Sequence, residues 1–382
     1  MVRCPPTPDR KAPPARRLPL VALCVLVLTA CAPRGALVQG PVAPGSDLRD
    51  ILVATSRAPG GEAELLSGAR SADLRFFELT VAVPPERDHG TVRFPRRGEP
   101  DPETDFVAVR AARFGGLGDF TRAVDAAAAT RNPADREAVV FVHGFNTNFA
   151  EGLYRQAQIG HDFRSRSVSV QYSWPSAGSL GAYAYDRESA LFARDGLETT
   201  LDALARSDVP RIVVMAHSMG AHLAMESLRQ MQIRGAPAFF DKLAAVVLMA
   251  PDMDIDLFRQ QALDLAPMDV PIYVFVSSRD RALQFSSLLR GRRERLGSLT
   301  DGARLSDLNV AVIDLSHVDS RGDPLQHFKV ASSPTMFNLF ADLGTGALDS
   351  LVARDTQTGI LGGGVVILDR VAGAITGTGP PR

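Results

Sequence analysis

The chain has 382 residues, of which 45% are hydrophobic and 22% are charged, and its formal net charge is −1. This composition is typical of globular proteins, and the length allows one large domain or two small ones. The sequence shows no basic stripe, which argues against a nucleic-acid partner.

The N-terminal segment has the pattern of an export signal. Residues 1–17 are basic and proline-rich, and residues 18–30 (LPLVALCVLVLTA) form a mostly apolar run. A finished membrane-spanning helix needs about 20 apolar residues, so this shorter run fits the core of a signal peptide. The run ends in Leu28-Thr29-Ala30-Cys31, which resembles the lipobox of bacterial lipoproteins. The resemblance implies cleavage before Cys31 and lipidation of that residue; an ordinary secretory signal cleaved near Ala30 or Ala32 is the alternative.

Cleavage before Cys31 would limit the chemistry of the mature chain. The three cysteines are Cys4, Cys24 and Cys31, so the first two would be removed and the third lipidated. Cysteine-based catalysis and cysteine metal clusters are then excluded. Residues 1–30 carry five basic residues and one acidic residue, so their removal changes the formal net charge from −1 to −5. We expect an exported protein held by lipid on the periplasmic side, at the outer membrane since Ala32 rather than aspartate follows the cysteine.

The rest of the chain divides into a tether, a domain and a tail. Residues 31–48 hold the lipidated cysteine and a Pro/Gly-rich stretch that predicts a flexible tether. Residues 49–343 carry regular patterns of secondary structure, and residues 344–382 form a Gly/Thr-rich tail of uncertain order.

In chain order, the domain begins with strand patterns and then alternates. Strands are predicted at 51–55 and 75–83 with a polar loop between them, followed by a strand at 105–114 and a helix at 119–131. Further strands are predicted at 138–145, 167–174, 212–214, 242–251, 271–278 and 308–315, and further helices at 149–164, 185–206, 221–233 and 335–343. Strands that alternate with helices predict an α/β fold with a mostly parallel central sheet and helices on both faces.

The most informative stretch is PRIVVMAHSMG, residues 210–220. A β-branched run leads into Ser218, and a helical pattern follows at once. Strand, tight turn and helix around a serine are the context of the G-x-S-x-G nucleophile elbow of α/β-hydrolases. The positions two before and two after the serine must be small, and they are Ala216 and Gly220.

A second motif predicts an oxyanion hole. His143-Gly144-Phe145-Asn146 follows the strand at 138–142. In α/β-hydrolases this loop supplies one backbone N–H and the residue after the nucleophile supplies another. The donors would be Phe145, or Asn146, together with Met219. We interpret His143 as a structural residue that bonds the loop backbone at the edge of the pocket, with Asn146 beside it.

Candidates for the acid and the base follow the later strands. Asp280 comes after the strand at 271–278, and Asp252 comes after the strand at 242–250. Polar side chains at the carboxyl ends of strands meet in such sheets. Asp280 lies where the carboxylate that orients the histidine is expected, and Asp252, at the neighbouring strand end, is the alternative. Two histidines follow the last strand, His317 and His327, and reach alone does not separate them.

Other polar and aromatic residues complete the prediction. Asp252, Asp254 and Asp256 alternate like the start of a calcium loop, but Leu257 replaces the required glycine, so no metal is predicted. No motif for a redox cofactor or a phosphate loop is found, and no cofactor is expected. The segment 174–185 supplies Trp174, Tyr183 and Tyr185, which we expect to wall the substrate pocket.

Together these residues resemble a group of bacterial α/β-hydrolases, esterase/lipase-like proteins of unknown function. The resemblance covers residues 50–343 and rests on seven stretches in this order: ILVATSRAP, FVHGFNTNF, YSWPSAGSLGAYAYD, AHSMGAHL, LMAPDMDIDLF, SSRDRAL and HFKVASSP. It implies the α/β-hydrolase fold and a Ser-His-Asp triad. It favours His327 as the base, because the family has glycine-histidine-aromatic before the last helix; here Gln326 replaces the glycine.

The sequence thus predicts acyl transfer by Ser218, His327 and Asp280 on a small-molecule or lipid-like ester. The same chemistry also serves amides and thioesters, so these substrates remain alternatives. A non-catalytic envelope lipoprotein that uses the fold as a binding module is another alternative, which would be indicated by loss of a triad residue.

Overall fold

A computed structural model describes residues 34–61, 64–95, 99–289, 291, 293–318, 323, 325–333, 336 and 365–367. The predicted signal peptide, Cys31, the helix predicted at 335–343 (Met336 apart) and nearly all of the tail lie outside the described residues. Within the described ranges, no helix combines the length and apolar character needed to cross a membrane.

The centre of the domain is a mostly parallel sheet. Its strands are β1 (Asp47–Pro59), β2 (Leu66–Val83), β3 (Val107–Arg113), β4 (Glu137–Val142), β5 (Val168–Ser173), β6 (Arg211–His217), β7 (Leu243–Met249), β8 (Ile272–Val276), β9 (Val310–Asp314) and β10 (Val365–Ile367). They lie in the order β10-β9-β8-β7-β6-β4-β5-β1-β2-β3. Neighbours from β10 to β1 are parallel, and β1, β2 and β3 pair antiparallel.

Helices connect the parallel strands and cover the sheet. They are α1 (Leu117–Ala129), α2 (Phe149–Asp162), α3 (Tyr183–Phe192), α4 (Arg194–Arg206), α5 (Met219–Arg234), α6 (Pro237–Phe240), α7 (Ile255–Leu265) and α8 (Arg281–Leu289). This is the predicted α/β-hydrolase architecture.

Side-chain alternation along the central strands explains why both faces are covered. In β4, Val140 and Val142 belong to one apolar cluster, which also holds Leu201 of α4 and Leu223 of α5. Phe141, between the two valines, belongs to a cluster on the other face. Successive strand residues point to opposite faces, so a strand that is apolar at every position needs helices on both sides.

The structure corrects the predicted loop between the first two strands. β1 continues to Pro59 and β2 begins at Leu66, so much of the predicted loop is strand. The outer part of this hairpin is antiparallel and only partly buried. Antiparallel strands tolerate a polar, solvated face, which hid the strand signal in the sequence.

The long helix predicted at 185–206 is interrupted at Ala193. α3 ends at Phe192 and α4 begins at Arg194. The hydroxyl of buried Tyr172 donates a 2.7 Å hydrogen bond to the carbonyl of Ala193. Ala193 nevertheless keeps both of its helical backbone bonds, because its N–H donates to the Ser189 carbonyl at 2.9 Å and its carbonyl accepts the Leu197 N–H at 3.1 Å. The interruption is therefore local.

Helices α7 and α8 were not predicted from the sequence. The side chain of Asp254 accepts hydrogen bonds from the N–H groups of Asp256 and Leu257, which makes Asp254 the N-cap of α7. An aspartate before an apolar-periodic run is a helix-start signal. The alternating aspartates therefore begin a helix.

Part of the predicted flexible tether packs on the domain. Gln39 forms a parallel bridge with Ala108 of β3. Gly35 N–H donates to the Glu151 carboxylate at 3.0 Å, and Val38 N–H donates to the Tyr154 hydroxyl at 3.2 Å. A flexible tether is therefore wrong for residues 35–40, because the open edge of β3 and the start of α2 offer these backbone groups partners.

Candidate active site

Ser218 lies at a strained turn between β6 and α5. Its φ of 52° and ψ of −120° place it outside the regions that an L-residue prefers. Backbone bonds hold this turn: Ser218 N–H donates to the Met249 carbonyl at 3.0 Å, and Asp252 N–H donates to the Ser218 carbonyl at 3.1 Å. Strain that the surroundings maintain is typical of functional sites.

Two glycines allow the backbone to close around Ser218. A Cβ on Gly220 would lie 2.3 Å from the carbonyl oxygen of His143. A Cβ on Gly144 would lie 2.7 Å from His217 Nδ1 and 2.9 Å from Ser218 Cβ. The elbow and the loop after β4 therefore touch, and neither position has room for a side chain.

Residues 143–147 form the loop for which the sequence predicts an oxyanion hole, and we call it the oxyanion loop. Its amides have different partners. Asn146 N–H donates to an Asp186 oxygen at 3.3 Å, and Thr147 N–H donates to the Ser176 hydroxyl at 3.1 Å. Within the described part of the chain, no acceptor is bonded to the N–H of Phe145. Met219 is the first residue of α5, where helix N–H groups have no partner in the helix. The amides of Phe145 and Met219, the two predicted oxyanion donors, are thus among those with no bonded acceptor in the described residues.

Arg57, a buried residue of β1, supports this loop through hydrogen bonds. Arg57 is 0% exposed. Its guanidinium donates to the carbonyls of Thr147 and Ser176 at 2.8 and 2.9 Å and to the Ser173 hydroxyl at 2.9 Å. Burial lowers the pKa of Arg57 to about 10, which still leaves it cationic at neutral pH.

His143 belongs to the same buried layer. Its ring stacks on Trp174 with centroids 5.1 Å apart, and Trp174 Nε1 donates to the His143 carbonyl at 2.7 Å. Burial, followed by the charge of Arg57, lowers the pKa of His143 to about 3, so the imidazole is neutral. The His143 ring is thus buried, and its Nδ1 lies 3.0 Å from the Gly144 carbonyl oxygen. Trp174 is 0% exposed and lies beneath the loop, so it does not wall an open pocket.

Asp186 fixes the loop from the side of α3. Its carboxylate accepts the Ser176 hydroxyl at 2.5 Å, Ala177 N–H at 2.7 Å and Asn146 N–H. Burial raises the pKa of Asp186, against the opposing effect of these hydrogen bonds. Arg57 and Asp186 form what we call the loop brace, since both bind Ser176 and both bind the oxyanion loop.

The structure brings Asp280 and His327 together. His327 Nδ1 lies 2.6 Å from Asp280 Oδ2, and Asp280 is completely buried. The other oxygen of Asp280 accepts the N–H of Leu283 at 2.9 Å. Burial alone would lower the pKa of His327, but the charge and hydrogen bond of Asp280 outweigh it, so that pKa is raised.

The loop that carries His327 is anchored on both sides. The Lys329 ammonium donates to the carbonyls of Leu315 and Ser316 at 2.9 and 3.1 Å, and Gln158 donates to the Ala331 carbonyl at 2.9 Å. Gln326 has a φ of 54°, a left-handed conformation, which explains why glycine suits this position in the related pattern.

His217 and Phe328 fill the space beside His327. The His217 ring meets the His327 ring edge-on at 4.6 Å and packs on Phe328 at 3.9 Å. Burial, followed by the charge of His327, lowers the pKa of His217 well below its ordinary value. His217 therefore stays neutral and adds no second charge to the site.

Ser218 and His327 are not directly bonded in this structure. Among the described residues, no hydrogen bond joins the Ser218 hydroxyl to the imidazole of His327. In substrate-free enzymes such bonds are often long and shorten when the substrate binds.

Asp252, the alternative acid, is committed elsewhere. It forms a buried ion pair with Arg295 at 2.7 Å and accepts the hydroxyls of Ser286 at 2.6 Å and Tyr183 at 2.7 Å. Tyr183 in turn meets the Phe145 ring edge-on at 5.2 Å. Asp252 thus links α3 to the start of the oxyanion loop, while its backbone N–H supports Ser218.

The remaining candidates lie apart from this group. His317 is exposed. Among the described residues, the histidine that bonds the Asp280 carboxylate is His327, not His317. Tyr185 is 37% exposed, donates to the Gly68 carbonyl at 3.1 Å and stacks under Arg70. Sequence reasoning missed Arg57, Asp186, Arg295 and Lys329, because their roles depend on burial and on distant partners.

Solved structures that are similar include a dienelactone hydrolase from Anabaena variabilis, 10% identical, covering 72% of this chain and 92% of that chain with a TM-score of 0.35. Another, from Pectobacterium atrosepticum, is described as a YdeN-like hydrolase; it is 15% identical and covers 50% of this chain and 83% of that one with a TM-score of 0.28. No curated protein matches the chain. The model of one family matches residues 122–343. The chain belongs to that family, the alpha/beta hydrolases of unknown function (DUF900).

Proposed function

We propose that this protein is a serine hydrolase that cleaves carboxylic esters through an acyl-enzyme. Ser218 is the nucleophile, His327 the general base and Asp280 the residue that orients the base. The observation that supports this most is the 2.6 Å contact between Asp280 and His327 Nδ1 in the same site as a serine held at a φ of 52°.

The reaction follows from these positions. His327 Nε2 takes the proton of the Ser218 hydroxyl while Oγ bonds to the ester carbonyl carbon. The negative charge on the carbonyl oxygen is met by the N–H groups of Phe145 and Met219. His327 then protonates the leaving alcohol, and the C–O bond breaks. Water, deprotonated by His327, attacks the acyl-enzyme and releases the acid and free Ser218.

Asp280 keeps the proton on Nδ1 of His327, so that Nε2 is free to accept one. It also stabilises the imidazolium that forms after the first proton transfer. The raised pKa of His327 agrees with this stabilisation of the cation.

The test is labelling of the purified protein by a fluorophosphonate probe, beside Ser218→Ala, His327→Ala and His317→Ala. We expect labelling to disappear in the first two variants and to persist in the third. A folded wild type that does not react would contradict the proposal and favour a binding module. Turnover of matched ester, amide and thioester substrates then separates the bond types.

We also propose that the hydrolase is anchored in the cell envelope by lipid on Cys31. The support is the Leu28-Thr29-Ala30-Cys31 motif after a basic and apolar leader. In a bacterial host fed labelled palmitate, wild-type protein should carry the label and Cys31→Ser should not. Equal labelling of both, or of neither, would contradict lipid anchoring.

A further inference from the structure

Four exposed apolar side chains belong to segments that meet beside the site. They are Leu180, 57% exposed, Phe285, 50% exposed, Leu288, 60% exposed, and Leu325, 53% exposed. We call these four the apolar rim. Exposed apolar residues that occur singly need no explanation, whereas a group of them marks a binding surface.

Hydrogen bonds connect the rim segments to the active-site residues. α8 begins directly after Asp280, and Arg281 N–H donates to the Leu325 carbonyl at 2.9 Å, two residues before His327. On the other side, the Ser286 hydroxyl of α8 lies 3.0 Å from the Tyr183 hydroxyl. Leu180 precedes Tyr183 by one turn, and Tyr183 contacts Phe145 of the oxyanion loop.

The geometry of α8 turns its apolar residues outward. Leu283 and Ser286 are buried, whereas Phe285 and Leu288, three residues apart, lie on the exposed face. Residues three apart on a helix are neighbours on its surface, so the two side chains form one patch.

Among the described residues, buried side chains fill two parts of the interior around Ser218. Tyr172 and Trp174 are 0% exposed and fill the layer under the oxyanion loop. The other direction is occupied by the ion pair of Asp252 and Arg295, whose side chains are 3% and 1% exposed. Opening this pair would leave a buried charge without a partner, which is strongly unfavourable.

From these observations we infer that the substrate is an ester with a long apolar acyl chain, which leaves the cleft outward and lies on the apolar rim. The inference rests on the proposed ester hydrolysis and adds the substrate class and its binding surface. It makes Phe285 and Leu288 specificity-determining residues that contact the chain without touching the reacting atoms.

The experiment compares kcat/KM for acetyl and octanoyl p-nitrophenyl esters in the full-length protein, below the concentration at which the esters aggregate. We expect the wild type to prefer the octanoyl ester. Phe285→Ser with Leu288→Ser should lower the octanoyl-to-acetyl ratio roughly tenfold or more, because contact with one large apolar side chain contributes about that factor. Turnover of the acetyl ester should change by less than about twofold, since the catalytic groups are untouched.

Ile233→Ser is the matched control. Ile233 is 63% exposed, and it lies on α5 about 22 Å from Ser218 at 1.5 Å per residue. A ratio that falls equally in this control, or does not fall in the rim variant, would overturn the inference while leaving ester hydrolysis intact. A wild type without chain-length preference would do the same. Absence of Ser218-dependent turnover of both esters would refute the proposed function and this inference together.

If the double variant fails to fold, the single variants Phe285→Leu and Leu288→Ala replace it. Each keeps an apolar or small side chain on an exposed helix face, where substitutions change stability little. A smaller decrease of the ratio in each single variant supports the inference, and an unchanged ratio in both overturns it.

Discussion

Two buried carboxylates lie at neighbouring strand ends in this site, and their partners differ. Asp280 meets His327, whereas Asp252 meets Arg295. The first pair joins an acid to a group that titrates near neutral pH, and the second joins it to a permanent cation. Replacing each aspartate by asparagine should therefore affect activity at Asp280 and folding stability at Asp252.

We expect Asp280→Asn to abolish most activity with little change in stability. The amide keeps the size of the side chain but favours the wrong tautomer of His327, so kcat should fall by roughly 10³–10⁴. Ester turnover and thermal melting of the same preparation measure the two effects.

Asp252→Asn is the matched control, and it should mainly destabilise the fold. It leaves the Arg295 charge buried without its partner, at a cost of about 3–5 kcal/mol of unfolding free energy. A loss of chemistry in Asp252→Asn as large as in Asp280→Asn, at unchanged stability, would reverse the two assignments.

At the same scale, the activity should rise with pH through the raised pKa of His327. Only neutral His327 can accept the serine proton, so kcat/KM should have its lower inflection above the ordinary value of 6.5. In Asp280→Asn the inflection should move to lower pH, because the carboxylate that raises the pKa is gone. An inflection that does not move would show that another group titrates.

The contribution of the His327–Asp280 pair to folding stability decreases with rising pH, whereas the activity increases. The folded pKa of His327 lies above the unfolded value, so the pair stabilises the fold fully below about pH 6.5 and less as pH rises through the folded pKa. The protonation state that stabilises the site is thus the one that cannot act as a base.

Among the structural elements, the oxyanion loop depends on the loop brace of Arg57 and Asp186. The backbone N–H of Asn146 is held by Asp186, and the carbonyl of Thr147 is held by Arg57. These bonds fix the residues after Phe145 and so determine where its N–H points.

Asp186→Asn should lower kcat roughly tenfold with KM nearly unchanged. The amide replaces one acceptor oxygen with a donor, so one bond of Ser176, Ala177 or Asn146 is lost and the oxyanion loop shifts. Because the oxyanion forms only in the transition state, a displaced donor affects kcat. Affinity for a trifluoromethyl ketone inhibitor should fall in parallel with kcat.

Glu188→Gln, on the same helix, is the control for this prediction. Its carboxylate is exposed and pairs with Arg70 at 3.6 Å, a surface contact that contributes little. Equal losses in the two variants would indicate a general effect of α3. If Asp186→Asn lowered stability without changing inhibitor affinity, the loop brace would stabilise the fold but would not position the oxyanion donors.

At the scale of the whole molecule, the sheet could be predicted from sequence because its signals are local. The buried strands are short β-branched runs, and Ser218 follows one of them within a recognisable turn. The position of Asp280 after β8 followed from the same rule. The outer hairpin, α7 and α8 were missed. Partial burial weakened the strand pattern of the hairpin, and the aspartate that caps α7 was considered only as a calcium ligand.

The supporting residues could not be predicted because their partners are remote in sequence. Arg57 bonds Ser176, which is 119 residues away, and Arg295 bonds Asp252, which is 43 residues away. Arginine is mostly an exposed residue, so its burial in a strand cannot be predicted without knowing the acceptors that surround it in the fold. The choice between His317 and His327 likewise depended on a loop whose anchors, Lys329 and Gln158, carry no sequence signal of that role.

The whole fold should lose stability in mild acid because two histidines are buried in the neutral form. The folded pKa of His143 is about 3, and that of His217 is also well below 6.5. The unfolded chain therefore binds more protons over this interval, and the free energy of unfolding decreases as pH falls from about 6.5. For His143 the total loss by about pH 3 is on the order of 4 kcal/mol, at 1.36 kcal/mol per pKa unit.

Urea unfolding at pH values from about 7.5 to about 4 measures this loss as a falling midpoint. His143→Gln should be less stable at neutral pH but should lose less on acidification, since Gln cannot be protonated. His161→Gln, which replaces a half-buried histidine bonded to Asp47 at 2.8 Å, should keep the wild-type decrease. A midpoint that is flat between about pH 6.5 and 4 in the wild type would mean that the buried histidines are not neutral in the fold, and that the layer beneath the oxyanion loop is open to protons.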